Sequence, residues 1–117
     1  MRRPHRVMIV GRATTNFFAA TGEEKETRFF PRFKGMLAEW ELLGARLIAS
    51  FCDDVLQVGP SRQRWAWNLI YEVDELDVAA AMIQAVREEV DGVRLDAYLE
   101  MEARVGRPFY AREDTDA

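Results

Sequence analysis

Near the end of the chain, Tyr98, Glu100, Glu102 and Arg104 fall on alternate positions of the run VRLDAYLEMEARVGR, residues 93–107. A period of two places such residues on one face of an extended strand. A carboxylate partly withdrawn from water there has a raised pKa and can act as a general base. An arginine two residues away offers a planar fork for the carboxylate of an acidic substrate. Glu102 and Arg104 lead this constellation. Glu100 is the alternative base, and Tyr98 could bond a developing oxyanion. Read without chemistry, the same face, with Arg94 and Asp96 included, is a charge ladder that meets water or fixes a dimer.

Two further groups suit binding rather than proton transfer. Trp65 and Trp67 flank Ala66 and share a strand face with Tyr71, so they either fill a core or make a flat apolar wall with free N–H donors. Asn16-Phe17-Phe18 follows the first strand, where loops lean over the end of a sheet. The two phenylalanines would seal the start of a helix or lid a pocket, with the Asn16 amide bonding a carbonyl or carboxylate. Cys52 has no basic neighbour to stabilise a thiolate and reads as a small buried residue. Asp53 and Asp54 read as turn residues that cap backbone groups.

Composition removes several classes of function. With 117 residues the chain is one domain with one modest core. A net charge of −4 argues against a nucleic-acid partner. Cys52 and His5 are single representatives of their types, so a Cys/His zinc site is not expected and a histidine-dependent triad would have to use a residue near a loose terminus. There is no glycine-rich phosphate loop, and no cofactor is called for. The apolar run Val7 to Val10 is too short for a membrane span or signal core. A cytoplasmic location without membrane contact is expected.

The elements that must position these residues follow from periodicity. The first strand is expected over 6–11, running on toward residue 13. Thr21 to Glu24 has capping-box spacing. Phe29, Phe33, Met36, Trp40 and Leu43 then recur at helical steps, with Phe30 and Leu37 widening the stripe. Pro31 has no N–H to give the carbonyl of Thr27, so a kink is expected near 28–31, and Gly44 is a C-terminal cap. Strands over 45–52 and 65–73 come next, with a short extended piece at 55–58 between them. A helix over 76–90 follows, capped by Asp74, and the last strand runs from 93. The order β-α-β-β-α-β is the ferredoxin-like α+β pattern, with one domain over 1–107 and a polar tail over 108–117. Two helices cover one sheet face only. The other face is therefore expected to pair with a second copy, giving a homodimeric α+β barrel. The last strand, thirteen residues spanning about 43 Å, is expected to bend or to reach that neighbour.

Several short stretches, taken in order, resemble one family: NFF after the first strand, FKGM-x-x-x-W on the first helix, DD after the second strand, VGPS before the tryptophans, and EARVGR near the end. Together they resemble the IacB family, small proteins of bacterial indole-3-acetic acid degradation clusters, over residues 7 to 108. The resemblance implies a ferredoxin-like dimer that meets an oxidised indole-acetate intermediate and works beside other enzymes of that pathway. It marks Asn16, Phe17, Phe18, Trp67, Glu102 and Arg104 as site candidates. Pro31 and the charged run SRQRWAW depart from the family pattern. Three functions are then in view. One is a cofactor-free enzyme performing isomerisation, hydration or proton transfer on a small aromatic acid. A second is a cofactor-independent monooxygenase of the antibiotic-biosynthesis type, and the third is a non-catalytic dimeric binding or accessory protein.

Overall fold

The computed structural model describes residues 4–59 and 66–109. Its architecture is mixed α+β. Strands β1 (His5–Ala13), β2 (Arg46–Cys52), β3 (Trp67–Val73) and β6 (Leu99–Gly106) form one antiparallel sheet in the order β2-β3-β1-β6. Between β1 and β2 lie helix α1 (Thr15–Ala19), a single turn α2 (Gly22–Glu24), a π-helical turn (Lys25–Phe29) and the long helix α3 (Phe30–Leu43). Helix α4 (Leu76–Arg87) follows β3, and a two-stranded hairpin, β4 (Glu89–Val90) with β5 (Val93–Arg94), precedes β6. No helix among the described residues is long and apolar enough to cross a membrane.

Alternation decides which side of the sheet carries the helices. Val7 and Ile9 of β1, Tyr71 and Val73 of β3 and Leu99 of β6 join Phe29, Met36, Trp40, Ala79 and Met82 in one core. Gly11 pairs with Trp67 in register, and a Cβ at residue 11 would overlap the Trp67 indole. Glycine is what lets that ring lie flat on the sheet. Two side-chain donors fasten the helices to each other: the Trp40 indole N–H bonds the Met82 carbonyl at 3.0 Å, and Arg32 bonds the Ala85 carbonyl at 2.9 Å. Arg32 is only 8% exposed, and its guanidinium meets the carbonyl end of α4, where a cation is favoured.

Local rules hold in several places and fail in others. The Thr21 hydroxyl accepts the Glu24 N–H at 3.0 Å, and Gly44 ends α3 with φ 108°. Pro31 does not break the helix. The preceding turn instead widens, with the Phe30 N–H donating to the Lys25 carbonyl, a π-type bond that shifts register before the proline. Asp74 does not cap α4. Its carboxylate takes Arg46 at 3.1 Å, and Glu75 occupies the cap position without a side-chain cap bond to the helix. The piece at 55–58 forms no strand.

The largest departure concerns the expected final strand. Helix α4 stops at Arg87, and Asp91 and Gly92, with φ 53° and 77°, close the β4–β5 hairpin in the left-handed region that a two-residue turn requires. Leu95–Ala97 then coil into a 3₁₀ turn before β6 begins. Arg94, Asp96 and Tyr98 therefore do not continue the face of Glu100, Glu102 and Arg104. Arg94 closes on Asp96 at 2.7 Å, which holds its guanidinium charged to higher pH than usual, by hydrogen bond first and charge second.

Candidate ligand cavity

The helical stripe of α3 and the face of β3 meet in the core, but at one end of the sheet they part. Between them lies a cavity of about 480 Å³, within the range of small-molecule sites. Phe17, Phe29, Phe33, Leu37, Trp67 and Leu69 line it. The rings are ordered against one another. Phe17 meets Phe29 edge-on at 5.0 Å between centroids, Phe29 stacks on Phe33 at 5.7 Å, and Phe33 meets Trp67 edge-on at 6.2 Å. Such contacts fix ring planes beyond what burial alone does. Ser50, Cys52 and Asn68 bring the polar side chains of the lining. Asn68 is almost fully buried, its amide donating to the Asp53 carboxylate at 2.7 Å.

The candidate residues separate into three places. Phe17 and Trp67 belong to the cavity. Phe18 does not: it packs edge-on to Phe17 but is 72% exposed. Trp65 lies outside the described residues. The Asn16 amide donates to the Ala97 carbonyl at 3.1 Å, beside the Thr14 hydroxyl, which bonds the same oxygen at 2.9 Å. Asn16 thus ties the end of β1 to the 3₁₀ turn, in a surface hollow that it shares with Glu24 and Tyr98. The Tyr98 hydroxyl donates to Glu24 at 2.9 Å. That bond, followed by partial burial, holds the phenol protonated to higher pH than usual.

The carboxylates stand elsewhere again. Glu100 is gripped by Arg12, its register partner on β1, with 2.6 Å from Nε. Glu102 takes Arg104 at 3.2 Å, and the Arg104 side chain is 77% exposed. Glu100 and Glu102 line a smaller hollow of about 290 Å³ along β6, with Arg87 and Asp96 beside them. The acid–base candidates and the aromatic wall therefore do not converge on one space. Both carboxylates already have their arginine partners.

Four contributors were not singled out as site residues. Phe29, Phe33 and Leu37 read as core stripe, and they do pack with the core, yet they also wall the cavity. Lys25 sets its ammonium 4.6 Å from the centroid of the Phe17 ring, a cation–π contact that brings a positive charge against one wall of the cavity. Its signal in the sequence was only its place in the turn after the capping box. Cys52, expected to be buried, is exposed, because β2 is the end strand of the sheet and every residue of it is exposed.

No family model matches this sequence, and no curated protein matches it either. Among solved structures, the chain is similar to a protein of unknown function from Rhodopseudomonas palustris, with a TM-score of 0.63 and 16% sequence identity, over 93% of this chain and 85% of that one. The likeness at that identity is one of fold.

Proposed function

We propose that the protein is a ferredoxin-like, homodimeric binding protein for a small flat aromatic molecule, held between α3 and β3. The observation that carries this is the row of ordered rings, Phe17, Phe29, Phe33 and Trp67, around an open space of about 480 Å³. The strand order and the placing of α3 and α4 on one face support the fold name. The resemblance to IacB favours an oxidised indole-acetate intermediate as the ligand, its ring inside and its carboxylate at the rim. Lys25, set over the Phe17 ring although not part of the lining, is the cation we assign to that carboxylate, in the role first considered for Arg104. Binding is preferred to catalysis because Glu100 and Glu102 are engaged on another surface. The protein then serves as partner to the enzymes of an aromatic-acid pathway rather than as one of them.

Titration of the intrinsic tryptophan fluorescence with indole, indole-3-acetate and 2-oxindole-3-acetate tests this reading. Saturable quenching is expected, weakened at least tenfold by Phe33→Ala and little changed by Phe18→Ala. Lys25→Met should weaken the two acids and leave indole unaffected. A flat titration overturns the binding reading. Chemical conversion of the bound ligand, with or without oxygen, replaces it with an enzymatic one.

A further inference from the structure

The β2 edge is the least finished part of the sheet. All seven of its residues are exposed, among them Leu47, Ile48 and Phe51, and its continuation leaves Val55, Leu56 and Val58 bare, the first 91% exposed. β2 is also terminal in the sheet order, so its outer N–H and C=O groups face no strand among the described residues. A bare apolar edge of this kind is a template for association.

We infer that a second copy of this chain docks along β2 and residues 55–58, and that it closes the rim of the aromatic cavity. Three observations select a second copy as the occupant. First, the six apolar residues, from Ile48 at 46% to Val55 at 91% exposed, make a patch on the scale of the ~800 Å² per partner of a standard interface. Second, charge does not oppose self-association. Arg46, the single charged residue of β2, is already engaged by Glu72 at 3.2 Å and by Asp74 at 3.1 Å within its own chain, and Asp53 by Asn68 at 2.7 Å. Of the charges along this edge, only the exposed Asp54 would have to be held toward water in a two-fold contact. Third, the edge is continuous with the ligand site: Ser50, Phe51 and Cys52 belong both to β2 and to the lining of the cavity. The register shift between Leu47 and Ala49 interrupts a regular ladder at one end of the strand. Side chains, more than a long backbone pairing, therefore carry the contact. The partner's side chains would cover the open mouth of the cavity, which the monomer leaves to solvent.

This deepens the homodimer part of the reading above, and its test separates the two. Sedimentation velocity of the full chain across the micromolar range is expected to show a species of twice 13.5 kDa. Ile48→Lys, and separately Leu56→Asp in the exposed segment, should each weaken the dimer at least tenfold with unchanged circular dichroism. Arg104→Ala, on the opposite edge, should leave it intact. A monomeric wild type overturns both the dimer and its interface. A dimer that survives both β2-side changes but fails with Arg104→Ala keeps the dimer and overturns this interface. Neither Ile48 nor Leu56 lines the cavity, so a weaker fluorescence titration in the monomeric variants supports closure by the partner. An unchanged titration in them overturns closure, and a flat titration of a dimeric wild type removes the ligand and leaves the interface standing.

Discussion

The two edges of the sheet are finished in opposite ways. On β6 the apolar alternates Leu99, Met101 and Ala103 turn to the core. The polar alternates are neutralised close to home, Glu100 by Arg12 and Glu102 by Arg104. On β2 no residue is buried, and Leu47, Ile48 and Phe51 are about half exposed. Charged residues along an edge oppose strand addition, whereas a bare apolar edge invites it. The expectation that the charged strand forms the seam weighed charge as glue. Exposed ion pairs contribute little, and buried apolar area contributes most. For the interface inferred above, the distribution of apolar surface therefore favours the second strand over the last.

The largest expected difference between the edges is in packing. Leu99→Ala removes a side chain that is 5% exposed and should cost about 2–5 kcal/mol in urea denaturation. Leu47→Ala, from a half-exposed position, should cost less than ~1 kcal/mol in dilute protein. Its cost should grow as concentration rises if the inferred dimer forms, because that side chain would then be covered by the partner. Equal costs at every concentration would erase the distinction between the edges.

A second substitution would try to make β6 resemble β2. Glu100→Val together with Glu102→Val strips the carboxylates that blunt this edge. Losing the two exposed ion pairs should lower stability by only about 0–1 kcal/mol each. Light scattering should nevertheless show new, concentration-dependent association, because Val alternates would extend an apolar strand. If the double variant stays as dispersed as the wild type, charge is not what keeps β6 solitary.

Much of this contrast was legible in the sequence, and the part that was not has identifiable causes. The period-two pattern located β1, β2 and β3 within two residues, and Thr21 and Gly44 marked helix ends by local chemistry alone. The last strand was misjudged because Leu95 and Ala97 continue the alternation straight through a 3₁₀ turn. The better signal was Asp91-Gly92 between Val90 and Val93, a hairpin turn pair that outranks alternation. The cavity was legible only in part. Phe29, Phe33 and Leu37 follow the helical period whether they pack on a strand or stand off from it, so spacing cannot distinguish core from cavity wall. The acceptor for Asn16 lies 81 residues away, at a turn that was not foreseen.

The smallest expected effect concerns the junction where β6 begins, at Tyr98. Its hydroxyl donates to Glu24, and this bond, with partial burial second, raises the phenol pKa above 10. A group whose folded pKa is raised binds its proton more tightly in the folded state. The stability it adds is therefore complete below the unfolded value near 10 and fades as pH climbs through the higher folded value. Tyr98→Phe should cost about 1 kcal/mol or less at neutral pH, the worth of one partly exposed hydrogen bond. Above pH ~10 the gap between variant and wild type should close, since the wild type loses its advantage as the phenolate forms beside the Glu24 carboxylate. Tyr71 is also raised, mainly by burial and then by the charge of Glu41. It lies on β3 in both proteins, so its alkaline loss is common to them and cancels in the difference. Urea midpoints of both proteins at pH 7 and across the alkaline range would show the convergence. A gap absent already at pH 7 would mean that Tyr98 anchors β6 through its ring contact with Phe29, 5.5 Å between centroids, which the variant keeps. A gap that widens with pH would overturn the raised pKa.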